Sequence, residues 1–154
     1  MNSQTPVRPT LELARVLLVE DDPGDVLITR ESFADSSVLC ELSVVNDGAK
    51  ALDFLHKRGK YKTAETPHLV LLDLNLPKVS GREVLAEVKG NAELSTIPVI
   101  VLSTSTADED VAHSYQLHAN AYITKPVDYD DFHEVVKSIN EFFLTIVRLP
   151  SQPV

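Results

Sequence analysis

The sequence lacks several features that would place it in a specialised class of proteins. Cys40 is the single cysteine among 154 residues, which excludes an internal disulfide and favours a reducing compartment, so we predict a cytoplasmic location. No apolar run approaches the roughly 20 residues of a membrane span, and residues 1–14 have no apolar core of the kind found in signal peptides. Lys and Arg number 14 against 23 Asp and Glu, a net charge of −9 that argues against contact with nucleic acid. We therefore expect a globular protein with neither a membrane nor a nucleic-acid partner.

Short apolar runs recur along the chain, separated by stretches with helical spacing. Continuous apolarity over four to six residues is typical of strands that are covered on both faces, as in parallel sheets. Five such strands alternating with five helices predict a doubly wound α/β domain over residues 14–149, with a flexible lead-in at 1–13 and a tail at 150–154. The runs are VLLV from Val16, LSVV from Leu42, LVLLDL from Leu69, IPVIVL from Ile97 and AYIT from Ala121.

The stretch VEDDPGD begins with the last residue of the first apolar run, Val19, and contains four carboxylates within six residues. Asp22 precedes a proline, which is the pattern of a helix N-cap followed by proline at the first helical position. Asp25 then falls in the first helical turn, where free backbone N–H groups and the helix dipole stabilise negative charge. Helix capping therefore accounts for Asp22 and Asp25 and leaves Glu20 and Asp21 unexplained.

Two further helix starts have the spacing of a capping box. Ser80 is followed three residues later by Glu83, and Thr106 is followed three residues later by Glu109. We therefore expect Ser80 and Thr106 to cap the third and fourth helices.

Polar residues follow several of the predicted strands at their carboxyl ends, where open α/β sheets bind ligands. These residues are Glu20 and Asp21 after the first run, Asp73 after the third, Ser103 at the end of the fourth and Lys125 after the fifth. Converging carboxylates repel one another, and a divalent cation reverses that balance. Oxygen donors without cysteine or histidine favour Mg²⁺ or Mn²⁺. Lys125 and Ser103 add a cation and a hydroxyl suited to binding a phosphoryl group.

The stretches VLLVEDDPGD, LVLLDLNLP, PVIVLST and AYITKP resemble the receiver domain of two-component response regulators, and the resemblance covers nearly the whole chain. It implies a flavodoxin-like fold with strand order 2-1-3-4-5. It also implies that Asp73 is the phosphoacceptor and that Glu20 and Asp21 are the acidic pair of the metal site. Asp73 itself and the backbone carbonyl of Asn75 complete the implied metal ligands.

The same resemblance implies roles for residues on the last two strands. Ser103 corresponds to the hydroxyl switch residue and Tyr122 to the aromatic switch residue. Lys125 corresponds to the family's lysine that assists phosphoryl transfer, and a cis peptide is expected before Pro126. We therefore expect phosphorylation to draw in Ser103 and then Tyr122, which changes the face formed by the fourth helix, fifth strand and fifth helix.

Two longer stretches, LLDLNLPKVSGREVLAEVK and AYITKPVDYDDFHEVVKSINEFFLTIVRLP, are similar to single-domain regulators that partner bacterial and cyanobacterial phytochromes. This similarity implies that a sensor histidine kinase, with a phytochrome as the candidate, supplies the phosphoryl group. No output domain follows Val154, so we expect signalling through protein contacts, or a role as a phosphate relay or sink.

Three alternatives are weighed against this interpretation. An aspartyl-phosphate phosphatase of the haloacid dehalogenase type needs a second acid two residues after the acceptor, where Asn75 stands. A flavin-binding protein needs a phosphate loop after the first strand, where EDDPGD places acids instead. A degenerate receiver would bind partners without phosphorylation, although every chemical position is filled here.

The last predicted helix is long and changes its apolar pattern along its length. It is expected from Asp128 to about Arg148, roughly 30 Å at 1.5 Å per residue. Its first part has one apolar stripe, whereas from Phe142 onward the apolar residues encircle the helix, which is typical of a partner surface. We therefore predict a homodimer through the fourth helix, fifth strand and fifth helix. The stripe consists of Phe132, Val135, Val136 and Ile139.

Overall fold

The structure is a computed structural model that describes residues 13–36 and 39–143. Strands and helices alternate along the described chain, as the apolar runs predict. A short 3-10 helix, Gly59–Tyr61, follows the second helix and has no counterpart in the prediction. The elements are β1 Ala14–Val19, α1 Pro23–Ala34, β2 Cys40–Val45, α2 Gly48–Leu55, β3 Leu69–Leu72, α3 Gly81–Gly90, β4 Val99–Ser103, α4 Asp108–Gln116, β5 Ala121–Thr124 and α5 Tyr129–Glu141.

The five strands form one sheet in the order β2-β1-β3-β4-β5, and every neighbouring pair is parallel. This arrangement confirms the predicted doubly wound sheet and its strand order. Val19 of β1 is in register with Leu72 of β3, and Ser103 of β4 is in register with Thr124 of β5. The residues that follow the strands therefore meet at one edge of the sheet.

The sheet separates two apolar layers. The first contains buried residues of α2 and α3, and the second contains buried residues of α1 and α5. Within β1 the side chains alternate between the layers, because Leu17 and Val19 face the first and Val16 and Leu18 face the second. Burial on both faces explains why the strands are continuously apolar.

The capping predictions hold for two helices and fail for a third. Asp22 accepts from the backbone N–H groups of Gly24 and Asp25, and Ser80 Oγ accepts from the N–H of Glu83. The prediction for Thr106 is wrong, because α4 begins one residue later with Ala107 at the N-cap and no side-chain cap. The Ala107 N–H donates instead to the hydroxyl of Ser105, at 3.2 Å.

The loop between β3 and α3 is held between two glycines. A Cβ at Gly48, the first residue of α2, would overlap the carbonyl oxygen of Val79. A Cβ at Gly81, the first residue of α3, would overlap the carbonyl oxygen of Asp73 and the Cα of Leu74. Both helices can start this close to the loop only because these positions lack a side chain.

Helix α5 agrees with the predicted stripe over its described length. Phe132, Val136 and Ile139 are buried and Val135 is partly buried, all against the layer that includes α1. The helix is described to Glu141 and followed by a π-type turn at 142 and 143, so the predicted extension to Arg148 and the tail at 150–154 lie outside the described residues. Most of the predicted lead-in, residues 1–12, also lies outside them. None of the described helices combines the length and apolarity needed to cross a bilayer.

The expected cis peptide before Pro126 is wrong. All described peptide bonds, including Lys125–Pro126, are trans, which is the isomer of lower energy for most bonds to proline. The backbone of Lys125 is fixed by its N–H, which donates to the carbonyl oxygen of Ser103 at 2.7 Å.

Candidate functional site

The carboxyl edge of the sheet brings the predicted site residues together. The N–H of Asp73 donates to the carbonyl oxygen of Val19 at 3.0 Å, so Asp73 continues the β1–β3 pairing and lies beside Glu20. On the other side, Lys125 continues the pairing of β5 with β4. Residues that are more than 100 positions apart in the chain thus converge because parallel strands end together.

Three carboxylates at this edge can share one ion. One oxygen from each of Glu20, Asp21 and Asp73 lies within 4.8 Å of the other two. Glu20 and Asp73 are 3 % and 7 % exposed, whereas Asp21 is open to solvent. A donor set of oxygens, with one ligand on the accessible side, fits a hard divalent cation that keeps some of its water ligands. The predicted convergence of these acids is therefore present in the fold.

Lys125 is the cation at the centre of this acidic group. Its Nζ lies 2.5 Å from Glu20 Oε1, 2.9 Å from Asp25 Oδ2 and 3.3 Å from Asp73 Oδ2, and its side chain is 5 % exposed. Buried charges are tolerated only when they are paired and hydrogen-bonded. One ammonium group therefore holds three carboxylates at this edge.

Asp25 is one of the site residues that sequence analysis missed. It was assigned to the first turn of a helix, and it does lie in the first turn of α1. Its carboxylate also reaches Lys125, which is 100 residues away in the chain. The only sign of this role in the sequence was that Asp25 lies one helical turn after Asp22. The first-turn position in α1 already explained that spacing.

Burial and ion pairing act in opposite directions on the two most enclosed groups. Burial raises the pKa of Glu20 from its ordinary value of 4.5 to about 7, although Lys125 opposes that shift. Burial would lower the pKa of Lys125, but its hydrogen bonds to Asp25 and Glu20 outweigh burial and hold that pKa above its ordinary value. Lys125 therefore stays charged, and Glu20 is the group on which the excess negative charge is most costly.

Backbone N–H groups fix the orientation of both buried acids. Asn75 donates its N–H to Asp73 Oδ1 at 3.1 Å, and Asp22 donates its N–H to Glu20 Oε2 at 3.1 Å. Asn75 is exposed and lies two residues after Asp73. Its predicted role as a metal ligand through the backbone carbonyl stays a prediction.

The predicted switch residues lie on the β4–β5 side of the edge. Ser103 is fully buried, and its Oγ accepts from the N–H of Ser105 at 3.2 Å. Tyr122 is partly buried against the layer of α2 and α3, and its hydroxyl donates to the carbonyl oxygen of Ser105 at 2.9 Å. Its backbone N–H donates to the hydroxyl of Tyr115 at 3.2 Å. The two predicted residues are thus connected through Ser105, which sequence analysis did not identify.

Comparison with known proteins gives one consistent family. The sequence profile of the response regulator receiver domain matches residues 16–137, which include every residue of the site described above. The chain is 46 % identical over 136 residues to the response regulator Rcp1 of Synechocystis sp., an alignment that covers 88 % of this chain and 92 % of that protein.

Solved structures agree with the sequence comparison. The phosphorylated cyanobacterial phytochrome response regulator RcpA is 46 % identical and superposes with a TM-score of 0.88, covering 91 % of this chain and all of that one. The Mn²⁺-bound form of Rcp1 is 45 % identical with a TM-score of 0.87, covering 90 % of this chain and 99 % of that one. On the extent of the profile match, the identity over most of both chains and the shared fold, the protein belongs to the response regulator receiver family.

Proposed function

We propose that this protein accepts a phosphoryl group from a sensor histidine kinase on Asp73 and signals by changing its protein-interaction face. The observation that carries the proposal is the position of the Asp73 carboxylate. It lies beside Glu20 and Asp21 within a distance that one cation can span, and it contacts Lys125. Phosphoryl transfer depends mainly on positioning and on neutralising charge, and this group of residues supplies both.

In the proposed transfer, a carboxylate oxygen of Asp73 forms a bond to phosphorus as the bond from phosphorus to the imidazole nitrogen of the kinase breaks. The electron pair of the broken bond stays on the imidazole. Lys125 donates to one phosphoryl oxygen, which requires it to exchange a contact with a carboxylate, and Ser103 donates to another. Bound Mg²⁺ or Mn²⁺ would neutralise charge on the phosphoryl oxygens, with Asp21, Asp73, the Asn75 carbonyl and, through water, Glu20 as its proposed ligands.

The proposed kinase is a phytochrome. The similarity to RcpA, which is a cyanobacterial phytochrome response regulator, supports this partner. A sensor histidine kinase takes its phosphoryl group from ATP, which is found inside the cell. We therefore propose that the transfer takes place in the cytoplasm. On this proposal the chain is a phosphoacceptor that assists its own phosphorylation and dephosphorylation, and it is not an enzyme acting on free substrates.

Transfer of radiolabelled phosphate from candidate kinases, including a phytochrome, tests the proposal. The wild type should take up label and Asp73→Asn should take up none. Asp47→Asn is the matched control, because Asp47 is also a buried acid at a strand end, caps α2 and can be replaced there by another capping residue. Label on Asp73→Asn would refute the proposed acceptor. Failure of the wild type to retain label from acetyl phosphate with Mg²⁺ would favour a degenerate receiver.

We also propose a homodimer through α4, β5 and α5. Phe142 is 49 % exposed at the end of the described part of α5, and Tyr115 of α4 is 48 % exposed. Phe143 instead packs partly against the protein's own α1–α5 layer. Large exposed aromatic side chains are typical of interfaces, and these two lie at two of the three elements of the proposed face.

Light-scattering mass at micromolar concentration tests the dimer. The wild type should be dimeric and Phe142→Ser should be monomeric, since Phe142 can be changed without opening the core. Leu39→Ser is the matched control, because Leu39 is 62 % exposed and directly precedes β2, the strand at the opposite edge of the sheet from β5. A monomeric wild type would exclude the dimer at that concentration, and a dimeric Phe142→Ser variant would exclude this interface.

A further inference from the structure

Ser105, in the loop between β4 and α4, uses all of its polar groups to contact three different parts of the site. Its N–H donates to Ser103 Oγ at 3.2 Å, and its carbonyl oxygen accepts from the hydroxyl of Tyr122 at 2.9 Å. Its own hydroxyl donates to Asp110 Oδ2 at 2.6 Å. Ser105 therefore links Ser103 at the end of β4, Tyr122 on β5 and Asp110 in the first turn of α4.

Asp110 extends this connection to a second helix. Its other carboxylate oxygen forms an ion pair with Arg82, the second residue of α3. Both side chains are partly buried, with exposed fractions of 24 % for Asp110 and 35 % for Arg82. The preceding residue, Gly81, packs directly on the backbone of Asp73. The ion pair thus ties α4 to the end of the helix that is fixed against the proposed acceptor.

We propose that Ser105 is a positioning residue that couples Ser103 to the Arg82–Asp110 ion pair, and that this ion pair holds α4 in the conformation of the unmodified chain. This inference rests on the proposed phosphorylation of Asp73. It adds a specific mechanical link between the hydroxyl that would meet the phosphoryl group and the helix that would respond.

The coupling follows from the hydrogen bonds of Ser105, whose N–H, carbonyl and hydroxyl contact Ser103, Tyr122 and Asp110. When the Ser103 hydroxyl turns toward a phosphoryl group, the Ser105 N–H loses its acceptor, and an unpaired amide in a partly buried loop favours movement of that loop. Because the carbonyl and hydroxyl of Ser105 move with its N–H, the contacts to Tyr122 and Asp110 are lost in the same step. Asp110 then no longer holds Arg82 in its present geometry, and α4 is released from α3.

Two substitutions separate the parts of the connection. Ser105→Ala removes the hydroxyl, and with it the contacts to Asp110 and to the Ala107 N–H, and keeps the backbone contacts to Ser103 and Tyr122. Asp110→Asn keeps the size of the side chain and removes its charge. Glu109→Gln is the matched control, because Glu109 is the neighbouring acid in the same turn and is exposed to solvent.

Hydrogen exchange of the unmodified proteins measures whether the connection holds α4. Ser105→Ala and Asp110→Asn should each speed exchange about five-fold or more at amides 105–114 and leave α1 unchanged, whereas Glu109→Gln should match the wild type. The double variant should exchange little faster than either single one, because both remove the same connection. Unchanged exchange in both single variants would overturn the proposal.

Titration with beryllofluoride and Mg²⁺, in place of the phosphoryl group, measures the coupling to the acceptor. If the ion pair opposes the rearrangement, Ser105→Ala and Asp110→Asn should bind beryllofluoride about three- to five-fold more tightly than the wild type. A purely structural role would not raise this affinity, and a general charge effect would raise it equally in Glu109→Gln. Either of those two results would overturn the coupling.

The two experiments also separate this inference from the proposed function. A wild type that binds no beryllofluoride would refute the phosphoacceptor role, and the coupling would fall with it. Hydrogen exchange would then still decide whether Ser105 and Asp110 hold α4. Normal binding by the wild type with equal affinity in all variants would instead refute the coupling and leave the phosphoacceptor role intact.

Discussion

The two sides of the Asp73 site are built from different kinds of interaction. The acidic side consists of Lys125, its three carboxylate partners Glu20, Asp25 and Asp73, and Asp21, which lies beside Glu20 and Asp73. The hydroxyl side consists of Ser103, Ser105 and Tyr122, which exchange neutral hydrogen bonds of 2.9–3.2 Å. Charges enclosed in protein are costly to leave unpaired, whereas one neutral hydrogen bond can replace another at little net cost. The acidic side is therefore suited to binding ions, and the hydroxyl side is suited to changing its arrangement.

The largest effect on the free energy of unfolding is expected from removing Lys125, the cation of the acidic side. Lys125→Met leaves three carboxylates without their shared partner and should lower the free energy of unfolding by about 3–5 kcal/mol in EDTA. Because a divalent cation would then be the remaining source of positive charge, Mg²⁺ should restore more stability in this variant than in the wild type. Urea unfolding with EDTA and with Mg²⁺ measures both effects.

Lys89→Met is the matched control for that experiment. Lys89 is also partly enclosed, but its Nζ donates to the carbonyl oxygens of Ser95 and Ile97. Its loss should cost about 1–2 kcal/mol and should not alter the response to Mg²⁺. An equal Mg²⁺ response in both lysine variants would contradict the assignment of ion binding to the acidic side.

A smaller effect is expected from pH. The pKa of Glu20 is raised in the folded state to about 7 from an ordinary 4.5, so the folded chain binds more protons than the unfolded chain between these values. In EDTA, Glu20 should therefore stabilise the fold as pH falls through 7, and that stabilisation should be lost as pH rises. Glu20→Gln cannot titrate, so the stability of the variant relative to the wild type should increase by about 2 kcal/mol between pH 5 and pH 8.

Chemical denaturation at several pH values checks this difference. Comparing wild type with Glu20→Gln cancels the pH-dependent contributions of all other titratable groups, because the two proteins share them. Saturating Mg²⁺ should reduce the difference, since a cation compensates the charge of Glu20. A constant difference across this range would mean that Glu20 keeps an ordinary pKa.

The smallest effect is expected on the hydroxyl side. Tyr122→Phe removes the hydroxyl that donates to the Ser105 carbonyl and should cost about 1 kcal/mol in unfolding free energy. Because no charge is involved, the loss should be the same at pH 5 and pH 8 and with or without Mg²⁺. A loss that varies with Mg²⁺ would show that the two sides are already coupled in the unmodified protein.

The sheet and the acidic edge were accessible from the sequence because they depend on local patterns. Continuous apolar runs predicted all five strands, and the polar residues after them fell at one edge because parallel strands end together. Asp73, Glu20 and Lys125 needed only that rule to be placed near one another. The strand order came from the family resemblance, since alternation of strands and helices is compatible with several orders.

The remaining contacts were not accessible because they depend on long-range geometry or loop conformation. Asp25 already had a sufficient explanation at the start of α1, so its ion pair with Lys125 carried no separate signal. Ser105 connects the hydroxyl side through backbone groups, which every residue possesses. Thr106 fits a capping pattern better than Ala107, but α4 begins at Asp108 with Ala107 at the N-cap, and the Ser105 hydroxyl accepts from the Ala107 N–H. The capping propensity of Thr106 is thus overridden by the conformation of the loop before α4.

The glycines that hold the β3–α3 loop have a consequence for protein engineering. With Gly48 against Val79 and Gly81 against Asp73, no spare volume separates the β3–α3 loop from the first residues of α2 and α3. A chimaera that imports α2 or α3 from a distant regulator will displace this loop, and for α3 the acceptor itself, unless it keeps glycine at the first position of the imported helix. Partner specificity is therefore easier to redesign on outward-facing positions of these helices than by exchanging whole segments.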